Sequence, residues 1–101
     1  MRHLGVLRGS GMLEGGGQPL GRADYEFDGY LVQPGEIVAS GEVRMAADAL
    51  GNAFGRNDLS LRTDDGRVLS LRFSGKRLAA ESAVAHADVR GDLPVAKDWR
   101  R

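Results

Sequence analysis

From residue 23 onward, apolar and polar side chains alternate along the chain. Ala23, Tyr25 and Phe27 share one face, with Asp24, Glu26 and Asp28 on the other. Ile37, Ala39, Gly41, Val43 and Met45 alternate with Val38, Ser40, Glu42 and Arg44. Leu59 and Leu61 alternate with Asp58, Ser60 and Arg62, and Leu69, Leu71 and Phe73 with Ser70, Arg72 and Ser74. Ala83, Ala85, Ala87 and Val89 alternate with Ser82, His86, Asp88 and Arg90. A period of two marks strands packed on one face and wet on the other. Fifteen glycines punctuate these runs. The pattern predicts an all-β chain, a single small antiparallel β-barrel or tight β-sandwich of six to seven strands.

Register follows from the turns. A two-residue Asp65-Gly66 loop would set Arg62 opposite Leu69 and mix the faces. A three-residue Asp64-Asp65-Gly66 loop pairs Leu61 with Leu69, Leu59 with Leu71 and Asp58 with Arg72, so the longer loop is expected. At Pro34-Gly35 a two-residue loop would place Phe27 against Glu42, which predicts a longer loop or a bulge. Residues 46–54 leave the alternation: Ala46, Ala49, Leu50, Ala53 and Phe54 recur at helical spacing, predicting one short helical turn that closes an end of the barrel. Gly55 is placed to cap it. In the N-terminal third, 9–14 and 20–30 read as a hairpin around residues 15–19, with 1–8 as a further edge strand. Residues 1–93 are expected to form the barrel and 94–101, which follow Pro94, a C-terminal tail.

Composition narrows the classes. The 101 residues suit one domain, and 42% hydrophobic with 28% charged residues is ordinary for a globular one. Fourteen basic and fourteen acidic residues leave no net charge, which argues against a nucleic-acid binder that relies on bulk charge. With no cysteine there is no disulfide, thiolate metal site or cysteine nucleophile. Only Leu4, Val6 and Leu7 precede a charge near the N-terminus, short of the ~7–15 apolar residues of a secretory signal. No run reaches the ~18 of a membrane span. The cytoplasm is the expected compartment.

Motifs for catalysis are sparse. Residues 9–15 miss the dinucleotide fingerprint because Glu14 stands where the third glycine belongs, and Phe73-Ser74-Gly75-Lys76-Arg77 lacks the first glycine and the hydroxyl of a phosphate loop. The serines at 10, 40, 60, 70, 74 and 82 sit at turns or on outward faces, without a nucleophile elbow. His86 and Asp88 lie two apart on an outward face, where a third ligand from His3 or the acidic segment would complete a metal site for a metal-dependent enzyme. Solvated surface is the commoner explanation of such a pair, as it is for the Asp24, Glu26 and Asp28 row. Asp58-Leu59-Ser60-Leu61-Arg62-Thr63 is similar to half of the motif of PilZ-type cyclic-dinucleotide barrels. Thr63 replaces its glycine and no Arg-x-x-x-Arg precedes it, so no ligand-binding role carries over and no family is assigned.

Charge distribution says more. Residues 23–48 carry six carboxylates (Asp24, Glu26, Asp28, Glu36, Glu42 and Asp48) against Arg44, a net of −5. Residues 49–78 carry Arg56, Arg62, Arg67, Arg72, Lys76 and Arg77 against Asp58, Asp64 and Asp65, a net of +3. An acidic hairpin is expected beside a basic one. Arg62, Arg67, Arg72, Lys76 and Arg77 are therefore the candidate contacts for a partner or ligand. Tyr30 and Trp99 are the aromatics expected at the surface. The function that fits is a non-enzymatic binding or interaction module using this basic face, without a cofactor, for an acidic protein surface or a second copy of the chain. The alternative on the same residues is a phosphate- or nucleotide-sensing barrel.

Overall fold

The alternating runs become six antiparallel strands because each has one apolar face to bury. The computed structural model describes residues 1–33, 35–75, 82–91 and 93–99. The strands are β1 (Arg2–Gly15), β2 (Gln18–Gln33), β3 (Glu36–Met45), β4 (Leu59–Thr63), β5 (Val68–Phe73) and β6 (Val84–Gly91). They close into a barrel in the order β1-β2-β3-β6-β5-β4. The inward positions Leu13, Phe27, Val43, Leu61, Leu69 and Val89 are almost completely buried and form one core with Tyr25, Leu71 and Phe73. Ala83, expected on that inner face, is exposed, because β6 begins only at Val84.

The turns explain the register. Leu61 pairs with Leu69 and Leu59 with Leu71 across the 64–66 loop, where Gly66 takes φ +96°. Asp58 does not oppose Arg72. It lies before β4 and holds Arg56, while Arg72 faces Asp88 on β6. At the β2–β3 turn Gln33 pairs with Glu36, and a register shift between Leu31 and Gln33 brings Phe27 opposite Gly41. The bulge restores the faces that a plain two-residue loop would have crossed. In the N-terminal third, residues 1–8 form no separate strand: β1 is continuous and pairs with β2 from Arg2 to Gly15 around a turn at Gly16 and Gly17.

Two glycines set the tight coiling. A Cβ on Gly11 would lie 2.4 Å from the carbonyl oxygen of Arg62, and one on Gly41 2.0 Å from that of Glu26. At both positions the neighbouring backbone occupies the space a side chain would need.

The barrel ends are covered by different devices. Helix α1 (Ala47–Ala53) lies over one end, burying Leu50 and Ala53, and Phe54 stacks on Phe73 with centroids 5.9 Å apart. At the other end Leu93, Ala96 and Trp99 pack on the core beside a 3-10 turn at Ala96–Asp98. Trp99, expected at the surface, is only 7% exposed. Its Nε1–H donates to the carbonyl oxygen of Pro94 at 2.9 Å. Its ring lies against Gly29, where a side chain would occupy the space the indole takes. Among the described residues no helix is long and apolar enough to cross a membrane.

Candidate interaction face

The outer faces of the strands carry the charge, and strand order decides which charges meet. β6 lies between β3 and β5, and β1 lies between β2 and β4. The acidic β2–β3 and basic β4–β5 hairpins are therefore not neighbours, contrary to the expectation from sequence. One ion pair among the described residues joins them. Arg22 of β2 donates two hydrogen bonds to Asp64 of the 64–66 loop, at 2.9 and 2.6 Å. The cation comes from the acidic hairpin and the carboxylate from the basic one.

The acidic row on β2 is satisfied from β1. Ser10 donates to Asp24 at 2.5 Å, Arg8 to Glu26 at 2.6 Å, and the His3 ring meets Asp28 at 2.9 Å. His3 also packs edge-on against Tyr30, which is half-buried rather than fully exposed. Across the next strand Glu26 faces Glu42, and Glu42 faces His86. Asp88 sits between Ser40 and Arg72. Among the described residues no group of three or more His, Asp or Glu side chains could hold a metal ion. His86 and Asp88 lie on the outer face of β6, and His3, one possible third ligand, is engaged with Asp28.

The three predicted basic contacts that are described fall in two places. Lys76 and Arg77 lie outside the described residues. Arg67 is half-buried at the Trp99 end, with its Nε 3.9 Å from an Asp65 oxygen. Arg62 and Arg72 remain on the outer face of β4 and β5, both exposed. Arg62 opposes Val68, and Ser60 opposes Ser70 between the two arginines. Arg90 stands directly across from Ser70 on β6. Arg62, Arg72 and Arg90 therefore surround a small hydroxyl-bearing patch on three adjacent strands. Glu14 reaches Arg62 only at 3.5 Å, and among the described residues neither Arg72, which stands across from Asp88, nor Arg90 has a carboxylate at ion-pair distance. Arg90 was visible as an outward residue in the sequence. Nothing there revealed that β6 docks against β5.

Elsewhere ion pairs and burial shift titrations. Arg22 and Arg56, by donating hydrogen bonds to Asp64 and Asp58, hold those carboxyls below the usual range. The Tyr25 hydroxyl is pushed up, first by burial and then by Asp65, and only partly offset by its hydrogen bond with Thr63. None of these groups belongs to the Arg62–Arg72–Arg90 patch.

Comparison with protein-family models, with curated proteins and with solved structures returns no significant match.

Proposed function

We propose that this chain is a non-enzymatic binding module whose recognition surface is the outer face of β4, β5 and β6. The observation that carries the reading is the pair of arginines, Arg72 and Arg90, exposed on adjacent strands with no carboxylate at ion-pair distance among the described residues, although Arg72 stands across from Asp88, and joined by Arg62 across Ser60 and Ser70. By contrast, Arg8, Arg22 and Arg56 each hold a carboxylate at 2.6 Å or closer. Guanidinium groups left open prefer carboxylates, which they bind with paired, charge-assisted hydrogen bonds. An acidic protein surface is the partner that fits an exposed face of this kind.

The test is binding of the full chain to immobilised polyglutamate over a salt series, for the native protein and for Arg72→Glu/Arg90→Glu. Exposed reversals of this type leave stability within roughly 0.5 kcal/mol. The expected result is salt-sensitive binding that the variant loses by at least tenfold with its thermal melt unchanged. Equal binding by both proteins would refute the reading. A second reading rests on the Ser60 and Ser70 hydroxyls, which are donors placed among the same arginines and suited to phosphate oxygens. It requires thermal stabilisation by nucleotide or inorganic phosphate, lost in the same variant. A cytoplasmic site of action accords with the absence of cysteine and is checked by fractionation of cells expressing the tagged chain.

A further inference from the structure

β1 is paired along its whole length with β2 but meets β4 only from Gly11 to Gly15. β4 ends at Thr63, where the chain turns toward β5, and the last backbone bond on that edge runs from the Asp64 N–H to the Ser10 carbonyl at 2.9 Å. In an extended strand the N–H and C=O of one residue point to the same side, and successive residues alternate. The β1–β2 register is unbroken from Gly5 to Leu13. Arg8 and Val6 therefore aim their backbone groups the same way as Ser10, beyond the point where β4 has left. No described residue hydrogen-bonds to their backbone there.

These groups face a cleft of about 550 Å³. Leu7, Pro94 and Trp99 supply its apolar surface, while Arg8, Arg67, Asp65 and Asp98 stand around it. We propose that this cleft is a strand-addition site, in which an extended segment of a partner protein pairs with β1 along Val6–Arg8 and continues the line of β4. The edge itself specifies the occupant. Its donors and acceptors recur at every second residue, about 6.6–6.8 Å apart, which an extended backbone matches and a helix, with its own groups already bonded, does not. Among the described residues two guanidinium and two carboxylate groups line the cleft and balance, so complementarity calls for a segment without strong net charge. Alternate side chains of that segment would face Leu7 and Trp99, which calls for apolar residues at every second position. A second copy offering its own β1 would bring a whole barrel wall into a cleft bounded by the 64–66 loop and the 3-10 turn. A single strand suits that space.

The site is distinct from the arginine face, and its test separates the two. Random heptapeptides displayed on phage are selected against the immobilised full chain, and the enriched peptides are synthesised and added to nitrogen-labelled protein. The expected peptides alternate apolar residues. They shift the Val6 and Arg8 amides and the Trp99 indole N–H, and slow hydrogen exchange at the two amides by at least tenfold. N-methylation of the peptide residues facing β1 weakens binding at least tenfold, whereas N-methylation of the intervening residues does not. Arg72→Glu/Arg90→Glu binds the same peptides unchanged. Failure to enrich any peptide overturns the proposal, as do shifts confined to β4–β6 or indifference to the methylation pattern. A peptide-free dimer by sedimentation, with Val6 and Arg8 already protected, overturns it in favour of self-pairing.

Discussion

Replacing Gly29 by alanine tests whether the C-terminal segment is fastened to the barrel through one indole. A Cβ there would lie 2.6–2.7 Å from Cη2, Cζ2 and Cζ3 of Trp99. Comfortable carbon contacts are about 3.5–4.0 Å, so the ring must retreat by roughly 1 Å. Gly29 is not among the glycines with positive φ, so alanine adds no backbone strain and the perturbation is steric. Alanine in a strand gains roughly 0.5–1 kcal/mol over glycine from reduced chain entropy. Overpacking of a filled site costs about 1–3 kcal/mol. The upper bound is loss of the buried indole, about 4–6 kcal/mol for 150–250 Å² at 25 cal/mol per Å². The net expectation is a loss of about 1–2 kcal/mol. Trp99 is the only tryptophan, so its fluorescence reports the event directly. Urea unfolding followed by emission should show a red-shifted native state and a midpoint lower by about 0.5–1 M, given slopes of roughly 1–3 kcal/mol/M. In a Trp99→Leu background the penalty should shrink, since the two positions are in contact. Native-like emission with an unchanged or higher midpoint would refute this account of the Gly29–Trp99 contact.

Other expectations follow from the same contacts. Gly41→Ala places a Cβ 2.0 Å from the Glu26 carbonyl oxygen, a backbone atom that cannot step aside, so soluble expression and the cooperative thermal transition should both fall more than for Gly29→Ala. Thr63, 3% exposed, accepts the Arg67 N–H at 2.8 Å and bonds Asp65, so Thr63→Val should cost about 1–3 kcal/mol by denaturant titration. Asp58 and Asp64 have carboxyl groups depressed by Arg56 and Arg22. Their stabilisation is present above the unfolded value near 4 and is lost as pH falls through the lower folded values. Asp58→Asn/Asp64→Asn should therefore flatten the acid side of the stability profile while leaving its upper end less changed. Tyr25 is raised by burial, so folding favours its neutral form; that stability is complete below about pH 10 and is lost as pH rises through the folded value. Ultraviolet titration should show its phenolate appearing late, and Tyr25→Phe should remove that part of the alkaline destabilisation.

Much of the fold was legible because its signals are local. The period of two at 23–28, 37–45 and 69–73 fixes which side chains face inward, and a one-residue slip would reverse every one of them. That constraint alone selected the three-residue loop at 64–66 and called for either a longer loop or a bulge at Pro34-Gly35, of which the bulge appears, between Leu31 and Gln33. The helical spacing at 46–54 likewise marked the element that covers one end. What joins distant positions was not legible. Nothing in the runs themselves says that β6 inserts between β3 and β5, so the acidic and basic hairpins were expected side by side and Arg90 was not joined to Arg62 and Arg72. Gly29 did not announce a seat for Trp99, because that seat exists only once the chain end has returned across the barrel. The free edge at Val6 and Arg8 arises in the same way, from β4 being shorter than β1. Alternation is a property of neighbours along the chain and survives in the sequence, whereas a charge cluster, a seat or an open edge depends on which strands meet, and that is decided only when the barrel closes.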